Sequence, residues 1–392
     1  MRIDVLIFGG GAAGLWCLDH FRRAGYHAIL LESKALGSGQ TIQAQGIIHG
    51  GGKYALRGVR DFAAVQATRK MPERWRRSLT GEREPDLTDT RVLSDRCYLW
   101  LPRGSLVARV QSWGFMSVLT KAGLLATRLE RVPQSAWPQV LRDSALAVYS
   151  LAELVISTGS FLEAIAAQHR GHIFLYDAAA VRFLGTDVEI SGATFQPHAV
   201  VFAAGEGNAE LLRKGGIHDD LMQRRPLGMV LLRGALPPLF GHCVVGGKTL
   251  LTITAAAEGL WQVGGEIAER LAHEQNMELA RRTAMNEIRR WLRGVDFSGV
   301  EIAFYRAVRA EARTVDQRRP SGVHVMRVAP RIFVAWPTKL ALAPVLADEV
   351  FALVTTDLKQ PAGYDKEGTL PPWPTPSVAR YPWEEVEWFP AC

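Results

Sequence analysis

The chain opens on four consecutive apolar residues, Val5-Leu6-Ile7-Phe8, that break abruptly into glycine. A short uninterrupted run of this kind reads as a strand covered on both faces. From Leu15 to Ala24 the apolar residues recur at helical spacing, and the pattern stops at Gly25, a residue suited to the position after a helix. Positions 26–31 form a second apolar run that ends on Glu32. The pattern predicts strand, helix, strand, with the first turn written Gly9-Gly10-Gly11-Ala12-Ala13-Gly14. In such a Gly-x-Gly-x-x-Gly turn Gly9 permits the sharp reversal, Gly11 lets backbone N–H groups approach a pyrophosphate, and Gly14 lets the helix pack on the strand. Ala12 and Ala13 complete the candidate contacts at the helix start, where free N–H groups and the helix dipole face an anion. Glu32 stands 32 − 14 = 18 residues beyond Gly14, close to the offset of an acid that holds a ribose hydroxyl, and Ser33 follows it as a further contact.

Later segments alternate between the two periods. A helix is expected at about 60–78, short strands at 98–101 and 146–149, a helix near 161–169 and a strand at 172–176. A short β excursion over 181–195 precedes the strand 199–202, which ends at Ala203-Ala204-Gly205. Residues 223–310 read as strands at 227–232, 242–245, 250–254, 260–263 and 300–305, interrupted by one long helix at about 269–293. A strand at 332–336 and a helix at 340–356 close the pattern. We therefore expect an α/β protein, α+β overall: a Rossmann-like dinucleotide-binding domain made of 1–84, 151–222 and 311–358, with 85–150 and 223–310 forming an inserted, mostly antiparallel β domain for substrate. The stretch 359–392 is rich in Pro and Trp, which excludes a regular helix and predicts an extended tail that packs on the surface or meets a partner.

Composition narrows the classes. Hydrophobic residues at 48% and charged residues at 22% are ordinary for a soluble globular protein, and no apolar run reaches the length of a membrane span. The apolar N-terminal run is spent on the nucleotide-binding strand, so a cytoplasmic location is expected, at most peripheral at the inner face of the membrane. The four cysteines are scattered without a Cys-x-x-Cys pair, which suggests no metal site. The net charge of +7 suits an anionic substrate and cofactor, and beyond them an acidic membrane surface or a protein partner; nucleic acid is not expected, because no nucleic-acid motif accompanies the charge.

The segment after Glu32 decides which dinucleotide. Residues 39–54, Gly39-Gln40-Thr41-Ile42-Gln43-Ala44-Gln45-Gly46-Ile47-Ile48-His49-Gly50-Gly51-Gly52-Lys53-Tyr54, are too rich in glycine for an element interior and too apolar for an exposed loop. Backbone that must lie close under a flat ligand has this composition. Here the chain resembles the D-amino acid oxidase-like superfamily of FAD-dependent oxidoreductases, which includes glycine and sarcosine oxidases, glycerol-3-phosphate dehydrogenases and L-2-hydroxyglutarate dehydrogenases. The loop is most similar to the last of these. The resemblance implies FAD as cofactor, with Gln40 and Thr41 beside the pyrophosphate or ribityl chain and Gln45, Gly46, Ile47 and Ile48 lining the isoalloxazine. It further implies adenine contacts at Ala180 or Val181, ADP packing on Ala203, Ala204 and Gly205, and N–H groups of the turn Pro337-Thr338-Lys339-Leu340 directed at the flavin pyrimidine. That turn departs from the glycine-rich form common in the family and is partly similar to that of glycerol-3-phosphate dehydrogenases.

The reaction that the resemblance implies is hydride transfer to flavin N5 from a carbon bearing a hydroxyl or an amine, in a small anionic 2-hydroxy acid or amino acid. A glycerol-3-phosphate dehydrogenase-like activity and a flavin-binding assembly subunit are the alternatives, and oxygen or a quinone would reoxidise the flavin. His49 is the candidate base, since imidazole titrates near neutrality. Lys53 and Tyr54 follow it at the end of the loop, and Tyr305 is placed to close the pocket. Arg313, in the turn before Pro320, resembles the family arginine that pairs with a substrate carboxylate, with Arg318 and Arg319 as alternatives in the same turn and a solvated surface position open to all three; bidentate geometry favours arginine in that role.

Overall fold

The computed structural model describes residues 1–51, 66–105, 107–108, 129–218, 220–316, 319–362 and 372–391. Along the chain, β1 (Arg2–Phe8), α1 (Ala12–Arg23) and β2 (Ala28–Glu32) are followed by α2 (Met71–Leu79). Then come β3 (Val92–Ser94), β4 (Cys97–Pro102), β5 (Glu130–Arg131), β6 (Ala145–Leu151), β7 (Val155–Ile156) and α3 (Thr158–Ala167). Next are β8 (Ile173–Leu175), β9 (Val181–Leu184), β10 (Asp187–Ile190), β11 (Ala193–Phe202) and α4 (Asn208–Lys214). The strand-rich region holds β12 (Met222–Arg233), β13 (Phe240–Val245), β14 (Lys248–Ala257), β15 (Leu260–Gly264), α5 (Glu266–Arg270), α6 (Met277–Trp291) and β16 (Glu301–Ala312). The chain finishes with β17 (His324–Ala329), β18 (Ile332–Trp336), α7 (Ala343–Thr355) and β19 (Phe389–Pro390).

Two large sheets result. The first runs β17-β18-β11-β1-β2-β8, with a hairpin of β9 and β10 attached to β11. Its pairs from β18 to β8 are parallel, while the edge strand β17 and the β9–β10 hairpin pair antiparallel. Val5, Leu6, Ile7 and Phe8 are fully buried because β1 lies at the centre with helices over one face. There α1, α3 and α7 contribute Trp16, Phe161 and Leu346 to one core, while Phe8, Phe202 and Trp336 pack on the other face. The second sheet runs β19-β16-β12-β15-β14-β13-β4-β6-β5 and is antiparallel except between β13 and β4. One face of it, with Val230, Leu232, Ile253 and Trp261, is covered by Ala284 and Ile288 of α6. The opposite face carries Arg225, Leu227 and Met229, because side chains alternate along β12.

Several expected elements shift. The long helix at 269–293 is two helices, α5 and α6; Asn276 restarts the second by accepting the Leu279 N–H at 3.0 Å. The strand expected to end at 305 continues to Ala312, since β16 pairs with β12 along its whole length. The helix expected at 60–78 is observed as α2, and residues 52–65 lie outside the described residues. The helix of 340–356 starts as a single 3-10 turn, Leu340–Leu342, before α7. The described part of the Pro/Trp tail packs on the first sheet's loops: Leu36 N–H donates to Ser377 O at 2.8 Å, Ala379 N–H to Leu36 O at 3.0 Å, and Leu175 N–H to Pro374 O at 2.7 Å. No helix among the described residues is long and apolar enough to cross a membrane.

Tyr381 anchors this tail at the start of α3, where its hydroxyl accepts the Gly159 N–H at 2.8 Å and shares a 2.9 Å hydrogen bond with Ser157. Tyr381→Phe removes both and should lower stability by about 1–2 kcal/mol, read from denaturant unfolding; an unchanged midpoint would show that the tail adds nothing to the fold.

Candidate active site

The carboxyl ends of five parallel strands open at one end of the first sheet. Gly9 and Gly11 follow β1, Ser33 follows β2, Tyr176 follows β8, Ala203–Gly205 follow β11, and Pro337–Lys339 follow β18. All line one trench of about 1120 Å³, whose opposite wall is the exposed face of the second sheet. The strand order reverses on either side of β1, so the trench lies at the point where open α/β sheets bind ligands.

The glycine turn is built by close backbone approach. Gly9 has φ +111°, and a Cβ there would lie 2.5 Å from the Ala204 Cα. A Cβ on Gly14 would lie 1.9 Å from the Gly9 carbonyl oxygen. α1 therefore starts hard against β1, and no side chain caps it at Gly11. The Ala12 N–H is met by the Thr41 hydroxyl at 3.1 Å; the N–H groups behind it have no partner within the helix. This uncapped helix start, facing a cavity, fits an anionic diphosphate. Glu32 accepts the Gly10 N–H at 2.6 Å and the Lys34 N–H at 2.9 Å. Burial raises its carboxyl pKa, and the backbone hydrogen bonds only partly offset that. The Thr338 hydroxyl, in the trench wall, is buried with no hydrogen-bond partner, as expected where a ligand completes the site.

The loop after β2 is clamped between the two sheets. Gly46 has φ +70°, and a Cβ there would meet the Ile156 carbonyl at 2.0 Å. Ile48 N–H donates to Leu154 O, and Ile156 N–H to Gly46 O. Gln45 donates to the Thr252 and Gln262 carbonyls at 3.0 and 2.8 Å, while Gln40 accepts the Ala310 N–H at 2.8 Å. The buried Tyr305 hydroxyl donates to Gln43 O at 3.0 Å and accepts from Gln262 Nε2; burial raises its pKa.

A histidine and a pair of arginines line the trench. His49 lines it with its side chain 14% exposed, and its Nδ1 lies 3.1 Å from Oε2 of the fully buried Glu153. Glu153 Oε1 accepts the Gly50 N–H at 2.9 Å, and His242 Nε2 stands 3.8 Å from Oε2. One donor atom each of His49, Glu153 and His242 lies within 4.8 Å of the others. Burial alone would push the Glu153 carboxyl up, but the adjacent His242 and the hydrogen-bonded His49 hold it well below the usual range. Across the roof, Arg225 and Arg309 stand directly opposite each other on β12 and β16. Glu311 holds Arg225 at 2.9 Å, whereas Arg309 meets Glu269 at a looser 3.6 Å. Burial, with Arg319 and Arg225 nearby, lowers the Arg309 guanidinium to about 10, so it stays cationic at neutral pH.

Most residues singled out from the sequence converge on this trench: Gly9, Gly11, Ala12, Ala13, Glu32, Ser33, Gln40, Thr41, Gln45, Gly46, Ile47, His49, Ala203, Ala204, Gly205, Pro337, Thr338, Lys339 and Leu340 all line it. Others stand elsewhere. Gly14 and Ile48 pack behind the lining, and Val181 is in the core beneath it. Ala180 is displaced by Tyr176 and Ala178, because a 3-10 turn (Ala178–Ala180) brings the chain to the trench earlier. Tyr305 braces the loop from behind. Arg313 is exposed beyond the end of β16, which carries it past the trench. Lys53 and Tyr54 lie outside the described residues. Sequence reading missed Arg225, Arg309, Glu153 and His242. Continuing the strand alternation past Tyr305 would have put Arg309 on the trench face; no one-dimensional signal marks the other three.

The model of the family described as FAD dependent oxidoreductase, DAO, matches residues 4–336. The chain is 35% identical to the probable FAD-dependent oxidoreductase PA4991 of Pseudomonas aeruginosa over 98% of both chains. The crystal structure of that protein superposes with a TM-score of 0.80, covering 98% of each chain. The fold is shared, at lower identity, with glycine oxidase from Geobacillus kaustophilus (TM-score 0.67, 15% identity, 93% and 96% covered) and with dithionite-reduced L-alpha-glycerophosphate oxidase from Mycoplasma pneumoniae with FAD bound (0.65, 14%, 91% and 95%). The chain belongs to the DAO family of FAD-dependent oxidoreductases; it is an enzyme, and FAD is its cofactor. The uncapped start of α1, Thr41, Glu32 and the unpartnered Thr338 hydroxyl are the groups here that suit it.

Gly14→Ala forces α1 away from the Gly9 carbonyl and misaligns those N–H groups. We expect FAD retention to weaken at least about tenfold, a loss of about 1.4 kcal/mol, measured by flavin absorbance after dialysis. Full retention would remove the helix start from the binding account.

Proposed function

We propose that this enzyme oxidises a small anionic 2-hydroxy acid to the 2-oxo acid, with amino acids as the neighbouring substrate class. The observation that carries the reading is the Arg225–Arg309 pair. Like charges directly opposite on neighbouring strands disfavour each other, and Arg309 is also lowered by burial and by two other guanidinium groups. An anion at Arg309 relieves both effects. Its planar fork suits a carboxylate, while Arg225 is already engaged by Glu311.

His49 serves as the base. A hydroxyl keeps its proton until its C–H bond is oxidised and needs a base at that step, whereas an amine reacts as its free base, the ammonium proton having left before hydride transfer; a histidine at the trench therefore favours the hydroxy acid. The similarity of the loop to that of 2-hydroxyglutarate dehydrogenases supports the same choice. FAD, when bound, supplies the acceptor for the hydride leaving the substrate carbon. The chain's own residues do the rest: Arg309 orients the carboxylate, His49 takes the hydroxyl proton, and the apolar side chains of Leu227 and Met229 form the wall between them. Oxygen or a quinone then reoxidises the enzyme.

Anaerobic mixing with a panel of 2-hydroxy acids, amino acids and glycerol 3-phosphate should bleach the flavin with a 2-hydroxy acid. Bleaching by an amine or by glycerol 3-phosphate alone would overturn the choice. Arg309→Ala should weaken substrate binding by about 2–5 kcal/mol, seen as a raised KM, while Arg313→Ala leaves KM unchanged. The reverse ranking would return the anion site to Arg313.

A further inference from the structure

We infer that Glu153 is the positioning residue of the site, fixing the neutral His49 ring as its Nδ1–H form and so leaving Nε2 as the acceptor nitrogen. The inference deepens the reading of His49 as base and rests on it for its catalytic consequence. Its structural content stands on the hydrogen bonds alone.

Glu153 lies in the short segment between β6 and β7 and is fully buried. Its two oxygens are committed: Oε1 to the Gly50 N–H at 2.9 Å and Oε2 to His49 Nδ1 at 3.1 Å. An ionised carboxylate is acceptor-only, so the nitrogen facing it must carry the proton. In a neutral imidazole the other nitrogen is then the acceptor. Gly50 follows His49 directly, so one carboxylate holds both the backbone and the ring of the loop at this point. That double grip sets the ring's orientation as well as its tautomer.

Among the described residues, the titratable groups facing the ring are Glu153 and, from β13, His242, whose ring centroid is 5.7 Å from that of His49. Behind them β14 contributes the neutral Thr252, whose hydroxyl lies 3.0 Å from His242 Nδ1. With its Nδ1 met by Thr252, His242 faces the carboxylate with Nε2 at 3.8 Å. One buried negative charge thus stands between two imidazoles. A carboxylate this near an imidazole favours the protonated ring. A buried acid that served stability alone would have no reason to face the reactive loop with one oxygen on its backbone and the other on its ring.

The test uses the FAD-loaded protein with ¹⁵N-labelled histidine. Ring resonances of His49 are assigned by their loss in His49→Gln. We expect the neutral ring of His49 to show protonated Nδ1 and bare Nε2. In Glu153→Gln its pKa should fall by about one unit or more, and Glu153→Asp should restore most of that shift. The acid limb of flavin reduction, which rises as His49 loses its proton, should move to lower pH by the same amount in Glu153→Gln. A neutral ring protonated on Nε2 would overturn the inference. So would a His49 pKa that is unchanged in both variants while only stability or FAD content falls. So would one divalent metal per chain whose chelation rearranges these rings. Should Glu153→Gln not fold, the wild-type tautomer and the Glu153→Asp pKa decide the matter. If the tautomer is as expected and no 2-hydroxy acid bleaches the flavin, the substrate reading fails and the role of Glu153 in setting the ring stands.

Discussion

The contact between the carbonyl of Gly9 and the Cα of Gly14 is the constraint on which this structure depends. A single methyl at Gly14 would lie 1.9 Å from that oxygen, so α1 can begin against β1 only without a side chain there. The same approach brings Gly9 against Ala204 at the end of β11, tying three elements at one point. Once they are tied, the unpaired N–H groups of α1 and the ends of five strands face one space. Free backbone donors at a helix start are unfavourable when buried without a partner. A helix start that is uncapped at Gly11 and faces the trench suits an anionic partner.

The second sheet does not touch that turn strongly; the loop 39–51 joins the two. Its glutamines serve as crossbars: Gln40 reaches the backbone of β16, and Gln45 reaches β14 and β15. Gln262 and Tyr305 return the connection by bonding to Gln43 O. The loop is thus held by side-chain-to-backbone bonds on one side and by short backbone pairing with residues 154–156 on the other. Glycine is required at position 46, where φ is +70° and the neighbouring carbonyl leaves no room for a side chain. This accounts for a loop rich in glycine and apolar residues that is nevertheless ordered around the trench.

The parts legible in the sequence share a physical cause. Glycine turns, apolar strand runs and small residues after β11 are local requirements, written where they act. The trench-lining set from Gly9 to Leu340 was readable for that reason. Arg309 and Arg225 were not, because their proximity comes from a twelve-residue antiparallel register between β12 and β16, and register is a long-range property. A strand ending at Tyr305 leaves Arg309 outside any sheet face, and only the continuation of β16 to Ala312 brings it opposite Arg225. Glu153 was hidden more deeply. A buried carboxylate between two short strands has no periodicity of its own, and its partners, His49 and His242, are 104 and 89 positions away, as 153 − 49 and 242 − 153 show.

The division of labour between the sheets explains why the side chains at the reacting end are long or doubly anchored. In the second sheet β12 and β13 are separated by β15 and β14, three strand spacings or about 14 Å. Arg309 of β16 or Arg225 of β12, and His49 beside His242 of β13, therefore reach a common space only through side chains that extend inward. Arginine supplies that reach, with a fork that keeps its direction at the end of a flexible stem. Histidine is short, so its loop must be carried forward, and Glu153 grips that loop through both the Gly50 N–H and the His49 ring. Between the two ends β15 offers Gly264, where a Cβ would crowd Gln45 and Met229. Gly264 lines the trench, so the missing side chain leaves the space between the arginine and histidine ends open.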